Sequence, residues 1–379
     1  MKRLNSNHLS SERKNMKLQG RTAFFISVFF VQALILSNVF AGERYEFYDG
    51  IRQMGMGGAV AATVNDETAL LSNPAALGKL RDSFATVIDP EIEGNMNVEK
   101  TLGTGFYKAS DPQYTLDHLR NHEGVPLHLK AQAFPSLIFP NFGIGLHANY
   151  RTDAEVNEAG TAYRYDYRND FSAVGGFNFR FFNGIMKLGA NVRYTNRTEV
   201  KRDDLDPNST NLTLSGLAQE GVGIGSDVGL ILAAPVLYLP TVAAVWHDVG
   251  DTSYSFSKGM FMSTTDRPDS VKNTLDVAVA LFPIHANNVR TSWTVELKDV
   301  LTKDSAAEPV MRRLHAGFEL NFADALFLRG GMNQRYWTAG LEISMLHSQF
   351  QAATYGEDIG TADHPREDRR FVVKYSFRF

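Results

Sequence analysis

Most side chains able to do chemistry lie at alternate positions of short runs. His147, Arg151, Arg180, Lys187, Arg193, Glu296, Lys298, His315, Glu319, Arg329 and Glu342 share one parity, with apolar residues between them. Charges of both signs gathered on one face pair with one another, or hold the carboxylate of an amphipathic ligand through charge-assisted hydrogen bonds. Phe282 and Phe327 fall on the same parity, as an apolar surface for a ligand or as packing for whatever fills the interior. The candidate ligand-facing residues are thus Arg151, Arg180, Arg193, Glu296, Lys298, Phe282, Phe327 and Arg329.

Other chemistries fit poorly. The chain has no Cys, which excludes thiol catalysis and cysteine-zinc sites. His118 and His122 have helix-ligand spacing, but Glu123 follows the second His, so the zinc-protease order is absent and a loop surface is expected. Asp203-Asp204-Leu205-Asp206-Pro207-Asn208 lacks a calcium-loop spacing and reads as a solvated loop. No Gly-x-Ser-x-Gly elbow or Ser/His/Asp set is present, so no enzyme, cofactor or metal is expected. Of 379 residues 44% are apolar, enough for a large core, and the net charge of −4 gives no reason to expect nucleic acid.

The alternation is that of two-faced strands. Phe142, Ile144, Leu146, Ala148 and Tyr150 share a face, as do Met186, Leu188, Ala190, Val192 and Tyr194, and Leu314, Ala316, Phe318, Leu320 and Phe322. Phe371, Val373, Tyr375, Phe377 and Phe379 form another such row. Runs of this length suit a tilted strand crossing a bilayer, and their aromatic ends suit interfacial girdles. A water-soluble β protein also alternates, and remains the competing reading on this evidence alone.

Residues 1–22 carry Lys2, Arg3, Arg13, Lys14, Lys17 and Arg21 against Glu12, and an apolar run from Ala23 to Phe40 follows. This pattern predicts a signal peptide, residues 1–41, cleaved after Ala41, with Met16 as an alternative start. An uncleaved anchor is the alternative. Removal of six basic groups and one acid from totals of 38 and 42 leaves a net charge of −9.

Candidate strands counted back from Phe379 number fourteen, the first at 96–106 and the last at 369–379. Mostly longer connections alternate with short ones such as Asn141, Asn183-Gly184 and Ala323-Asp324. The fold class predicted is an all-β transmembrane antiparallel barrel over 96–379, with residues 42–95 as an N-terminal plug and Phe84–Ile88 as a possible extra strand. Phe379 ends the chain as the assembly signal of outer-membrane barrels does, which makes the barrel-assembly machinery an expected partner beside outer-membrane lipid and lipopolysaccharide.

Within 42–95, Gly55, Gly57 and Gly58 suit close backbone packing, and Asn73-Pro74-Ala75 marks a corner after a helical stretch. Val60 stands where a dinucleotide loop needs its third Gly, so that reading is rejected. An export signal, Gly-Met-Gly-Gly-Ala near Asp66, Asn-Pro-Ala, and fourteen strands ending in Phe resemble the FadL-type fatty-acid and hydrocarbon porins, with related PorV-type and TraF-like barrels. The resemblance implies a hatch role for Gly55, Gly57, Gly58, Asn73, Pro74 and Ala75, and passive transport of a small hydrophobic or amphipathic molecule across the outer membrane of a Gram-negative bacterium. A non-transporting scaffold for secretion or surface attachment is the alternative.

Overall fold

A computed structural model describes residues 45–262, 264–301, 309–361 and 364–379. The predicted signal peptide lies outside the described residues. Fourteen strands form the wall. They are β1 (Phe84–Ile88 and Pro90–Asn95), β2 (Leu127–Ala133 and Ser136–Phe139), β3 (Phe142–Val156), β4 (Tyr163–Phe181), β5 (Met186–Leu205), β6 (Gln219–Ala233) and β7 (Thr241–His247). The others are β8 (Thr274–Leu281), β9 (Val289–Leu297), β10 (Leu314–Phe322), β11 (Leu326–Asn333), β12 (Tyr336–Ser344), β13 (Ser348–Asp358) and β14 (Glu367–Arg378).

Each strand pairs antiparallel with the next. β1 closes the ring by pairing with β2 (Glu93 opposite Lys130) and with β14 (Glu91 opposite Lys374). At the seam, the N–H of Ala85 donates to the Phe379 carbonyl at 2.9 Å and the N–H of Phe379 donates back at 3.0 Å. Among the described residues no helix is long and apolar enough to cross a membrane.

The alternate apolar residues face out of this ring, not into a dry interior. Along β3, Phe142, Ile144 and Leu146 are 48%, 44% and 47% exposed, while His147 is 0%. Short turns use left-handed backbone where a tight reversal needs it, as at Ala323 and Asp324 (φ 55° and 56°), where the Asp324 N–H donates to Asn321 Oδ1 at 2.9 Å.

The first strand corrects the sequence-based boundaries. Segment 96–106 is not a strand: it holds helix Asn97–Leu102 and the start of a 3₁₀ turn, Gly103–Lys108. The wall begins at Phe84, inside the stretch assigned to the plug, and Phe84–Ile88 is the first half of β1. A bulge hides this strand from a period-two reading. The register against β14 slips between Thr86 and Ile88, so Val87 and Ile88 both face outward while Thr86 and Asp89 are both buried.

Strands β3, β4 and β5 also run further than expected. Their upper outward positions, including Tyr163, Tyr165, Tyr167 and Val200, are buried rather than exposed. The helices of the β1–β2 connection cover them with Leu102, Ala109, Leu116 and Leu119. The hydroxyls of Tyr163 and Tyr165 donate to the carbonyls of Pro112 and Ala109 at 3.2 and 3.1 Å. Among the described residues this core lies outside the ring, a second joins residues 47–80 to inward wall residues, and a small third cluster gathers Ile51, Ala353 and Val372.

The outward row sets a stability expectation. Val192→Arg, in the exposed row of β5, should cost about 2 kcal/mol of folding free energy into phospholipid vesicles, read as a lowered denaturant midpoint. An unchanged midpoint would mean that this row does not meet hydrocarbon.

Candidate functional site

The segment Tyr45–Leu80 folds into two short helices, α1 (Ile51–Gly55) and α2 (Ala69–Ser72), and a 3₁₀ turn, Pro74–Lys79. Asn73 makes the corner. Its Oδ1 accepts from the Ala75 N–H at 3.0 Å, its Nδ2 donates to the Ala61 carbonyl at 2.8 Å, and Pro74 starts the next turn where its missing N–H costs nothing. Gly57 and Gly58 have φ of +69° and +84°, and a Cβ on Gly57 would strike the Ala316 carbonyl of β10. A Cβ on Gly55 would lie 3.3 Å from Gly340 Cα. These glycines let backbone press against wall.

The wall holds this backbone with inward side chains from several strands. Glu296 of β9 accepts from the N–H groups of Val60 and Ala61 at 2.8 and 2.9 Å. Glu91 of β1 accepts from the Ile51 N–H at 3.2 Å. Asn191, Asn178 and Thr338 donate to the carbonyls of Leu70, Ala75 and Gly55 at 2.8, 3.0 and 3.1 Å. These bonds join the segment to inward side chains of five strands.

Ion pairs supplement these bonds. Arg52 bridges Asp66 at 2.5 Å and Glu319 at 3.0 Å, and Glu319 continues through Arg329 to Glu342. Lys298 meets Glu46 at 2.6 Å. The guanidinium carbons of Arg168 and Arg197 lie 4.5 and 4.8 Å from the Tyr45 ring centre, and that of Arg193 lies 4.2 Å from Phe47.

The candidate ligand-facing residues separate into groups. Glu296, Lys298, Arg193 and Arg329 are buried and engage the segment, Asp227 and Asp248, or one another. Arg151 pairs with Asp153 at 2.5 Å. Phe282 packs against the segment under Lys79, and Phe327 lies under Arg329. Arg180 is exposed and stands opposite Lys187 near the β4–β5 turn, apart from this cluster. Residues that alternation did not single out include Tyr45, Arg52, Arg197 and the buried set Glu93, His128 and Asp153, in which His128 sits between the two carboxylates at 2.9 and 2.6 Å. Arg52 and Asp66, charges inside a glycine- and alanine-rich stretch, were the signal available in the sequence. His118, on the helix Pro112–Leu119, bonds to the Tyr114 carbonyl, and His122, in the turn just past that helix, bonds to the His118 carbonyl.

Two polar chambers remain between segment and wall. One of about 180 Å³ is lined in part by Arg52, Glu67, Phe327, Arg329 and Lys374; another of about 50 Å³ lies beside Tyr45, His247 and Glu296. Outside the wall, an apolar groove of about 1120 Å³ runs past Val279, Trp293, Phe318 and Met332. Gly317 and Gly331 line it, and the backbone of Met56 and Gly57 lies directly behind them.

A closed fourteen-stranded wall, apolar outside and charged within, defines a membrane β-barrel of the outer-membrane type. No family model matches the chain, and no curated protein does. Solved structures do. The CymD monoaromatic hydrocarbon channel is 10% identical over 90% of this chain and 99% of its own, with a TM-score of 0.53. A ΔS2 mutant of the TodX monoaromatic hydrocarbon channel is 14% identical over 87% of this chain and 99% of its own, also at 0.53. The fold is thus one shared with these two monoaromatic hydrocarbon channels, a barrel of the kind the sequence resemblance implied. At these identities the likeness is one of fold.

Two predictions follow from the holding of the segment. Glu296→Ala leaves the N–H groups of Val60 and Ala61 without their acceptor and should cost about 2 kcal/mol. Their amide exchange should accelerate, while Glu296→Gln, which keeps an acceptor oxygen, stays near wild type. Equal exchange in all three proteins would refute the latch.

The second concerns pH. Burial, with the Asp66 charge beside it, pushes the Glu67 carboxyl from 4.5 up to about 7. Burial, with Arg52 and Lys187 nearby, pulls the Lys79 ammonium from 10.5 down to about 7. The Glu67 contribution is therefore complete below about 4.5 and lost as pH rises through about 7. The Lys79 penalty is complete below about 7 and relieved as pH rises toward 10.5. These two groups together hold the segment least firmly near neutrality. Exchange of the Val60–Ala76 amides, corrected for intrinsic rates, should be fastest there, and Glu67→Gln should flatten the acid side. A wild-type profile already flat from pH 5 to 7 would remove Glu67 from the account.

Proposed function

We propose that this chain is an outer-membrane channel of a Gram-negative bacterium that lets a small hydrophobic or amphipathic molecule pass passively toward the periplasm. In this reading residues 45–80 are the hatch. Gly55, Gly57 and Gly58 allow its close seating, and Asn73, Pro74 and Ala75 fix its corner. The observation that carries the reading is how the hatch is held. It contributes no strand to the wall, and the bonds that seat it run mostly to side chains of the wall, with one backbone bond from the Asn141 N–H of the β2–β3 turn to the Leu77 carbonyl. It can therefore shift while the ladder of the barrel stays whole. The apolar groove beside Gly317 and Gly331 supports the ligand class, since it gathers apolar molecules one backbone layer away from the hatch. Lumenal bases such as Arg329 would meet an acidic headgroup where one is present.

The alternative, a non-transporting scaffold in secretion or surface attachment, draws on the small polar chambers and on the pairing of most interior charges with protein groups. Deleting residues 43–80 should open a steady conductance in planar bilayers; unchanged conductance would end the hatch reading. Mass spectrometry of the purified intact barrel separates the two functions. A retained hydrocarbon or fatty acid supports transport, and a stable protein partner with no such molecule supports the scaffold.

A further inference from the structure

The helices between β1 and β2 form a shelf on the outside of the barrel. The shelf contains α3 (Asn97–Leu102), the 3₁₀ turn Gly103–Lys108 and α4 (Pro112–Leu119). Its inner face is buried against β2–β5 through Leu102, Ala109, Leu116 and Leu119. Its free edge is of a different kind. Met96, Phe106 and Tyr107 are 57%, 47% and 69% exposed, and Lys100 and Lys108 are exposed beside them. The Lys108 ammonium lies over the rings of Tyr107 and Tyr114 at 5.7 and 5.2 Å.

The level of this edge identifies what it meets. On β1 the last exposed apolar residue before it is Ile92, four positions ahead of Met96. Gly94 pairs with Phe371, an exposed aromatic of β14. On β4 the exposed row reaches Phe171, and Tyr167, four residues or about 13 Å further along, is already under the shelf. The shelf thus stands at the outer end of the lipid-facing belt and continues it. Exposed aromatics beside lysines, at the margin of an apolar belt, match a lipid interface: rings enter the headgroup region and ammonium groups remain at the phosphates.

We propose that the edge formed by Met96, Lys100, Phe106, Tyr107 and Lys108 is a foot that rests in the anionic lipid surface of the outer leaflet and fixes the depth of the barrel. This rests on the barrel standing in a bilayer and not on transport. The foot ties the immersed wall to the emergent ends of β3–β5, so it reads the lipid surface rather than a ligand in the bore.

The absence of Cys from the sequence makes single-cysteine labelling clean. The full barrel would carry a fluorophore at Tyr107→Cys, at Val192→Cys in the belt, or at Asp203→Cys in the exposed β5 end. Each protein is reconstituted into vesicles of phosphatidylethanolamine and phosphatidylglycerol. The label at 107 should be quenched by lipid carrying a nitroxide near its headgroup and protected several-fold from iodide relative to the label at 203. Lys100→Glu with Lys108→Glu should weaken the lipid quenching in these vesicles but not in vesicles of neutral lipid. Iodide access at 107 equal to that at 203 overturns the proposal. Protection from iodide without lipid quenching means that protein covers the edge, and overturns it also. An unquenched label at 192 overturns the barrel's immersion itself, and so separates that failure from failure of the foot.

Discussion

Hydrocarbon offers no partner to a peptide N–H or C=O, so a chain of strands in a bilayer must pair every backbone group with itself. That requirement closes β1 onto β14, and closure fixes everything beneath it. Once the ring is shut, the strand pleat gives each residue one of two destinations, lipid or bore. Every second side chain of the wall is committed to apolar character, which leaves the interior to carry the polar groups. A ring of fourteen strands also encloses more space than its own side chains fill, unlike an eight-stranded barrel. On the hatch reading the chain itself supplies the filling, as the segment from Tyr45 to Leu80.

The filling explains the form of the interior charges. A buried ion has a large desolvation cost unless its lone pairs and protons are engaged, and the pairs found here are chained rather than isolated. Arg52 reaches both Asp66 and Glu319, and Glu319 reaches Arg329. Glu296 spends its carboxylate on two backbone N–H groups, which spares the N-terminal segment two orphan donors. Such pairs add little net stability compared with apolar packing, but they reject a wrong seating of the segment strongly, because a displaced partner leaves a naked charge.

Much of the wall was legible because period two survives wherever lipid and bore lie on opposite sides. The row from Phe142 to Leu146 and the final row to Phe379 behave as their spacing foretold. The signal failed for physical reasons in two places. In β1 the bulge sends Val87 and Ile88 to the same side, so the parity reverses within one strand. In the upper parts of β3–β5 the outward residues face helices instead of lipid, so Tyr163, Tyr165 and Tyr167 continue the apolar row past the membrane and blur its end. The site was less legible than the wall. Parity puts Glu296 and Arg329 inside but does not say that the first binds the backbone of Val60 and Ala61. Arg180 shares their parity, yet its position near a turn leaves it exposed. Parity carries direction without height, and height decides which inward charge meets the segment.

The same accounting constrains how anything could cross. Each hydrogen bond that holds the segment is worth about 0.5–1.5 kcal/mol net, and more where a charge takes part. The bonds from Glu91, Glu296, Asn178, Asn191 and Thr338, together with the Arg52 pairs, therefore sum to several kcal/mol before packing is counted. Complete ejection of the segment would break all of them at once and expose the apolar core around Leu70, Leu71 and Leu77. A shift confined to Ile51–Gly58 or to Tyr45–Tyr48 breaks only the bonds of that stretch and leaves the corner at Asn73 seated. In the proposed channel, passive movement has no external source of energy to draw on, so the accessible route would be the partial one. The close backbone contacts of Met56 and Gly57 with the wall at Gly317 and Gly331 set that stretch directly behind the outer apolar groove.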